Sequence, residues 1–354
     1  MGQYVIGLAL AVFLLSPVFG VNPMAGALIE VGFVGGHGTA AGLKDTFIEV
    51  GFAEGTDLAI GLATVGVIGG VLIGIALINW GISRQKLLYV DKDFERSALE
   101  QKGIVELDSR EPAGYISTRA ESIEPLSLHL GYIAIAILVG LGISEGMIWI
   151  ESISWGSWTG VYLLRYVPLF PLAMVGGIIV QKILTKFDRY TMVDRNLINR
   201  IQGLSLDILI VSALATLSLS VIGDNMAAFL ILAGAGMLWT VFAFFFIAPR
   251  LLPDFWFERG IGDFGQSMGV TATGLLLMRV ADPDNRTPAL ESFGYKQLLF
   301  ELFVGGGLFT AASVPLIFQF GAPVVLAIVL VLTLIFLFVG RRLYNKENKK
   351  NSSE

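Results

Sequence analysis

The sequence predicts an all-α integral membrane protein, a polytopic helical bundle with inverted repeats and two broken, re-entrant helices. Of its 354 residues, 55% are hydrophobic and only 15% are charged. The mean hydropathy of +0.73 is typical of proteins with several membrane spans. The apolar residues form runs of about 20 residues, the length that a helix needs to cross a bilayer. Two glycine-dense stretches, near residues 35–42 and 260–285, interrupt this apolar pattern.

The apolar runs predict eight or nine spans. They cover residues 4–19, 21–34, 58–82, 128–148, 162–184, 201–222, 227–248, 298–318 and 324–339. The third run contains Gly66, Gly70 and Gly74, and small residues at this spacing let neighbouring helices pack closely. A short amphipathic piece at residues 43–51 joins the first glycine-dense stretch to that run.

The chain divides into five parts by composition. Residues 1–82 and residues 125–318 are predicted to be a first and a second inverted repeat, each with one of the two breaks. Residues 83–124 hold seven Lys and Arg and are predicted to form a cytoplasmic linker, because so short a polar segment could scarcely bury a core. Residues 319–340 are an additional C-terminal transmembrane helix, and residues 341–354 are a basic cytoplasmic tail.

The distribution of positive charge predicts the orientation. Lys and Arg follow the run that ends at residue 82 and recur in the tail, whereas residues 149–160, 221–226 and 318–323 have none. The positive-inside rule then places the linker and the C-terminus in the cytoplasm, in a multi-pass protein of the cytoplasmic (inner) membrane. The first break opens from outside and the second from inside, as in secondary transporters built from inverted repeats.

Composition and motifs exclude several function classes. The chain has no cysteine and only two histidines, which leaves no disulfide framework and little room for a metal centre. It has no basic stripe with interleaved aromatic residues, so nucleic acid is not an expected partner. It lacks the zinc, nucleophile-elbow and phosphate-loop motifs. We therefore predict that it is not an enzyme and has no cofactor, with Na⁺ as a coupling ion.

The two breaks supply the candidate binding residues. Those of the first break are Gly36, His37, Gly38 and Thr39, and those of the second are Gln266, Ser267, Gly269, Thr271 and Thr273. Exposed N–H groups at the start of a half-helix favour an anion, and exposed carbonyls and hydroxyls suit a hard cation such as Na⁺. An anionic substrate with Na⁺ fits both demands. The alternative is that these glycines only let helices pack closely.

Three ionisable residues have two interpretations each, and a fourth has one. His37 either binds substrate or couples protons, or it braces the loop. Asp207 is a Na⁺ ligand or a partner of Arg279, because an intramembrane carboxylate is usually functional, or else it lies at a wet helix end. Arg279 either clamps a substrate carboxylate or is a cytoplasmic positive charge. Glu151 lies beside an outer loop and is expected to be solvated. The Na⁺ ligand candidates are Thr39, Thr271 and Asp207.

The motifs at residues 35–41, 48–52 and 63–70 resemble those of the sodium/glutamate symporter family. The second break is similar to that family's C-terminal re-entrant region, with its glycines, paired threonines and following Met278. The resemblance covers residues 15–318. It implies two inverted five-helix repeats, Na⁺-coupled glutamate uptake and a homodimer. It also implies that residues 36–39 and Gly269, Thr271 and Thr273 line the substrate site.

Two features depart from the family pattern. The family's first repeat begins about three helices before Met1, so a truncated chain or a misassigned start is expected. Ala272 stands where a proline is expected.

Together the residues and the resemblance predict a secondary active transporter for L-glutamate or a related acidic amino acid or dicarboxylate with Na⁺. Its partners are this substrate, Na⁺, the lipid bilayer and a second copy of the chain. One alternative is a proton-coupled or other organic-anion carrier on the same fold. The other is an inactive, truncated membrane scaffold.

Overall fold

The computed structural model describes residues 1–87, 102, 104–110, 112–119, 121–160, 162, 164–301 and 303–351, with side chains to residue 346. The described chain contains helices and turns and no strand. Seven of the described helices are long and apolar enough to cross a membrane. These findings confirm the predicted polytopic helical membrane protein, whereas the inverted-repeat relationship stays a prediction.

The helices are numbered here in chain order. They are α1 (Gly2–Phe19), α2 (Pro23–Phe33), α3 (Gly36–Gly42), α4 (Lys44–Glu49), α5 (Gly55–Ser83), α6 (Pro125–Ile153), α7 (Trp155–Thr159), α8 (Leu169–Phe187), α9 (Arg195–Ala215), α10 (Leu219–Asp224), α11 (Met226–Leu251), α12 (Trp256–Ala281), α13 (Ala289–Phe300), α14 (Leu308–Phe320) and α15 (Ala322–Asn351). The candidate spans are α1, α5, α6, α8, α9, α11 and α15.

Helix α5 is the element around which the core is built. Helices α2, α3, α11 and α12 all pack against it. Its glycines leave room for their side chains: a Cβ on Gly70 would lie 2.8 Å from Met268 Cβ, and one on Gly74 would lie 2.4 Å from a methyl carbon of Leu277. Small residues thus allow the close helix packing predicted for this span.

Helices α1 and α2 form an antiparallel hairpin beside α5. A Cβ on Gly7 would lie 2.2 Å from the carbonyl oxygen of Gly26, so the two backbones are in direct contact. The Tyr4 hydroxyl reaches Glu30 farther along the same pair. Because α2 runs antiparallel to α1, the first break, which follows α2, lies in the interior of the bundle.

Helices α6 and α8 form a peripheral pair. Gly176 packs against the backbone of Ala136 on α6, which holds the two helices at short range. Near the C-terminal end of α6, Glu151 is buried and accepts hydrogen bonds from the N–H groups of Leu164 and Arg165. The expectation that Glu151 is solvated is therefore wrong, because its carboxylate is buried against the following loop and accepts hydrogen bonds from backbone N–H groups there.

Three predicted spans differ from the structure. The run at 21–34 forms α2 (Pro23–Phe33), which is shorter than the described helices that could cross a membrane. The span expected at 298–318 is wrong: α13 ends at Phe300 and α14 begins at Leu308, because Gly305 and Gly306 have positive φ values of 75° and 101°. The run at 201–222 is divided between α9 and α10. The predicted linker at 83–124 lies partly outside the described residues, and its described part includes a 3₁₀ turn at Leu107–Ser109.

Candidate functional site

The second break turns α12 into a helical hairpin. Gly269 has φ −152° and ψ 53°, and Val270 has φ 57° and ψ 178°. Residues on either side of these two lie face to face: a Cβ on Gly262 would be 2.3 Å from the sulfur of Met278. In a straight helix these residues would be about 24 Å apart. The chain therefore enters, reverses at residues 269–270 and leaves at the same end.

Glycines permit the two legs of this hairpin to touch. A Cβ on Gly265 would lie 2.7 Å from the Cα atom of Gly274. Val270 has a backbone conformation that is close to glycine-only space. A β-branched residue held there is strained by about 1–3 kcal/mol, and such strain is concentrated at functional sites.

The reversal frees carbonyl groups that a continuous helix would pair. The carbonyl oxygen of Ser267 accepts a hydrogen bond of 2.6 Å from the Gln3 side chain. The same Gln3 Nε2 lies 3.5 Å from the Thr240 hydroxyl, so α1 and α11 support the tip of the hairpin. Backbone that leaves a helix at membrane depth requires such internal partners.

The first break lies between α2 and α3. The N–H groups of Val34 and Gly35 both donate to the carbonyl oxygen of Glu30, so an i→i−5 bond stands beside the ordinary i→i−4 bond at the end of α2. Gly36 then has φ +71°, a conformation that glycine adopts without steric cost. The Thr39 hydroxyl donates to the carbonyl oxygen of Gly35 at 2.9 Å and fixes the first turn of α3.

The two breaks approach each other along α5 from opposite ends. The segment of the first break packs Phe47 near Gly55 and Phe33 near Gly66. The hairpin of the second break packs Phe257 near Gly81 and reaches the same Gly66 with its tip, where a Cβ would lie 2.3 Å from the Met268 carbonyl oxygen. Both interruptions therefore reach the middle of α5.

The tips of the two breaks are in contact. A Cβ on Gly36 would lie 2.4 Å from Val270 Cγ1. The structure thus brings Gly36 together with the turn that contains Gly269 and precedes Thr271. Two half-helices, α3 and the second leg of α12, begin at this junction, and their first N–H groups have no partner within their own helix.

His37 is held by α5. Its Nε2 lies 3.0 Å from the Thr64 hydroxyl, and Thr64 donates to the carbonyl oxygen of Ile60. The Thr64 proton is therefore used, and His37 Nε2 is the donor. Among the described residues, His37 Nδ1 has no hydrogen-bond partner. The geometry thus braces His37 and leaves one ring nitrogen able to accept a hydrogen bond.

A polar chain connects the second break with α13. The Gln297 side chain donates to Thr271 Oγ1 at 2.6 Å and accepts from Gln266 Nε2 at 2.8 Å. Lys296 contacts both Asp263 and the Gln266 side-chain oxygen. Lys296 and Asp263 are part-exposed, so their attraction is weakened by solvent. Two of the predicted site residues, Gln266 and Thr271, are therefore linked through Gln297.

The other predicted site residues are dispersed. Thr273 is buried at the foot of the turn, close to Gly269, and Gly38 faces Leu209 of α9. Arg279 and Asp207 are both exposed. The ion pairs of the described residues do not join Arg279 to Asp207, so the structure does not support their predicted pairing. Their binding roles stay predictions.

Sequence reasoning missed several residues of this region. The sequence around Val270 and around Gln297 does not single them out, because their roles at the junction arise from contacts with residues distant in the chain. Glu30 could have been identified, because a carboxylate in the apolar run at 21–34 is costly in a membrane and usually functional. Within the part of the chain that the structure describes, no group of three or more His, Asp or Glu is placed to hold a metal ion.

A comparison with protein families identifies the family of the chain. A family model described as sodium/glutamate symporter matches residues 1–280. The match contains both breaks, α5 and nearly all of α12. No curated protein and no solved structure matches the chain. The family suggested by the motifs at 35–41 and 63–70 is thereby confirmed.

Proposed function

The chain belongs to the sodium/glutamate symporter family, and from this premise we propose that it carries L-glutamate or a related acidic amino acid inward with Na⁺ by alternating access. It is a multi-pass membrane protein of a transporter family rather than an enzyme family. The proposal places it in the cytoplasmic membrane as a homodimer, with its C-terminus in the cytoplasm. The contact of the two breaks, at Gly36 and Val270, is the observation that carries this proposal.

The opposite approach of the breaks supports an alternating-access mechanism. The hairpin of α12 opens toward the Gly81 end of α5, and the first break opens toward the Gly55 end. A ligand at their junction can be reached from one end when one tip withdraws and from the other end when the second tip withdraws. Transporters with sites between discontinuous helices work in this way.

The junction offers groups that match both ligands. The first N–H groups of the two half-helices and the amide of Gln297 suit the carboxylates of the substrate. His37 Nδ1 can accept a hydrogen bond from the substrate ammonium. The hydroxyls of Thr39 and Thr271 suit Na⁺, which prefers oxygen ligands.

Uptake of labelled glutamate into proteoliposomes tests this function. We expect uptake to require an inward Na⁺ gradient and to cease when K⁺ replaces Na⁺. Thr271→Val should raise the KM for glutamate or Na⁺ by about tenfold, the loss of roughly 1.4 kcal/mol of binding. Thr333→Val on α15 is the matched control, because Thr333 donates only to the carbonyl of Val329.

Two outcomes decide against the proposal. Uptake that ignores Na⁺ and follows a pH gradient would assign proton coupling instead. Absence of uptake for every acidic amino acid and dicarboxylate, in protein that is folded by size-exclusion chromatography, would favour a scaffold without transport activity.

A further inference from the structure

Glu30 is a fully buried carboxylate outside the junction described above. It lies in the apolar helix α2, between Ile29 and Val31, and only 1% of its surface is exposed. An intramembrane carboxylate is costly unless it is paired, and such residues mark ion pathways in membrane proteins. Glu30 forms no direct ion pair among the described residues, and the positively charged group that acts on it electrostatically is the N-terminal amino group of Met1.

Three hydrogen-bond donors offset part of the cost of burying this carboxylate. Oε1 accepts hydrogen bonds from the Thr310 hydroxyl at 2.8 Å and from the N–H of Gly305 at 3.2 Å. Oε2 accepts one from the Tyr4 hydroxyl at 2.5 Å. A carboxylate has about four acceptor positions. Three are used by these partners, and one position on Oε2 remains.

The surrounding hydroxyl oxygens also retain lone pairs. Ser313 Oγ donates to the carbonyl of Thr310, and both Ser313 and Thr310 lie beside the Tyr4 hydroxyl. Each hydroxyl can donate one hydrogen bond and still offer lone-pair electrons. Tyr4, Thr310 and Ser313 are each at most 1% exposed. The cluster therefore combines one negative charge with three hydroxyl oxygens in a dry interior.

From this arrangement we propose that Glu30, Tyr4, Thr310 and Ser313 form a sodium site, an inference that rests on the Na⁺ coupling proposed above. Hard cations take oxygen ligands, and carboxylates and hydroxyls are suitable ones. Na⁺ at the remaining position of Glu30 Oε2 neutralises a charge that the bilayer interior would otherwise penalise.

The site is connected to the first break by three contacts. The Glu30 carbonyl holds the N–H groups of Val34 and Gly35. A Cβ on Gly305 would lie 3.3 Å from Val34 Cγ1, and one on Gly306 would lie 2.6 Å from Thr39 Oγ1. When Na⁺ binds the Glu30 carboxylate, it withdraws electron density from the carboxylate oxygens. The hydrogen bond from the Gly305 N–H to Glu30 Oε1 is then weaker. Occupancy of the site thereby changes how tightly the 305–306 turn holds the first break.

Melting of the purified chain in detergent tests the site without substrate. The melting temperature is measured against NaCl, with choline chloride keeping the ionic strength constant. We expect Na⁺ to raise the melting temperature of the wild type, because a ligand that binds the native state stabilises it. Glu30→Gln should lose this rise. Glu145→Gln, an exposed acid in the span α6, is the control and should retain it.

A second variant keeps the test valid if Glu30→Gln does not fold. Thr310→Val preserves shape and removes one ligand, and it should need about tenfold more Na⁺ for half of the stabilisation. Retention of the full Na⁺ effect by Glu30→Gln, or an unchanged Na⁺ requirement of Thr310→Val, would overturn the site and leave the proposed transport intact. A wild type that Na⁺ does not stabilise, but that takes up glutamate, would also overturn the site alone. If Na⁺ does not stabilise the wild type and the wild type takes up no glutamate, both the sodium site and the proposed transport function are overturned.

Discussion

Replacement of Gly36 by alanine tests the contact between the two breaks. A Cβ at this position would lie 2.4 Å from Val270 Cγ1, whereas two carbon atoms pack at about 3.5–4.0 Å. The two tips must therefore separate by roughly 1.1–1.6 Å. The φ of +71° at Gly36 adds about 1–2 kcal/mol for any residue that has a Cβ.

A displacement of about 1 Å within a site that orients its ligand lowers turnover by about 100-fold, and we expect glutamate uptake to fall by this factor. Gly51→Ala is the matched control. Gly51 has φ +75°, but nothing lies within 4 Å of the Cβ that alanine would add. It therefore carries the same backbone cost without the clash, and uptake per folded protein should stay near that of the wild type.

Uptake into proteoliposomes, normalised to folded protein, is the assay. Val270→Gly removes the clashing methyl group and suits the φ of 57° at that position, so the double variant Gly36→Ala with Val270→Gly should regain uptake. Equal losses in Gly36→Ala and Gly51→Ala, or no recovery in the double variant, would refute the proposed contact between the tips.

Three further predictions concern the supports of the second break. Gly265→Ala places a Cβ 2.7 Å from the facing leg of the hairpin and should destabilise the protein by about 1–3 kcal/mol. Chemical unfolding in detergent measures this change, and an unchanged unfolding midpoint would contradict the hairpin. Gln3→Leu removes the donor to the Ser267 carbonyl and should cost about 1–3 kcal/mol for the unpaired group. Wild-type stability of this variant would show that the bond is absent. Gln297→Leu removes the hydrogen bond from Gln297 to Thr271 and should lower glutamate uptake by about tenfold, the effect of one lost binding contact, without loss of folded protein. Full uptake by this variant would show that Gln297 is not part of the site.

The two breaks illustrate what local sequence can reveal. The glycine content of residues 35–42 and 265–274 predicted interruptions of helical structure, because glycine favours φ values that helices do not use. The interruptions do occur, at Gly36 and at residues 269–270. The same local reasoning failed at residues 298–318, where an average over apolar neighbours concealed the turn at Gly305 and Gly306.

The partners of the breaks could not be predicted in this way. Gln3 and Ser267 are separated by 264 residues, and Thr310 and Glu30 by 280 residues. Neither pair has a sequence pattern that connects its members. The two pairs meet because α1 packs near α12 and α2 packs near α14, and hydropathy does not encode which helices become neighbours.

Local composition and short motifs were enough to predict the all-helical membrane fold, the two breaks and the family. Hydropathy predicted eight or nine spans, whereas seven of the described helices are long and apolar enough to cross a membrane. Helix packing in three dimensions was needed to show that the breaks approach along α5 from opposite ends and touch at Gly36 and Val270. It also decided that Glu30 is enclosed by hydroxyl groups. The physical reason is that a helix of uniform apolarity can pack on any face, and close steric fit at its glycines selects which neighbour it has.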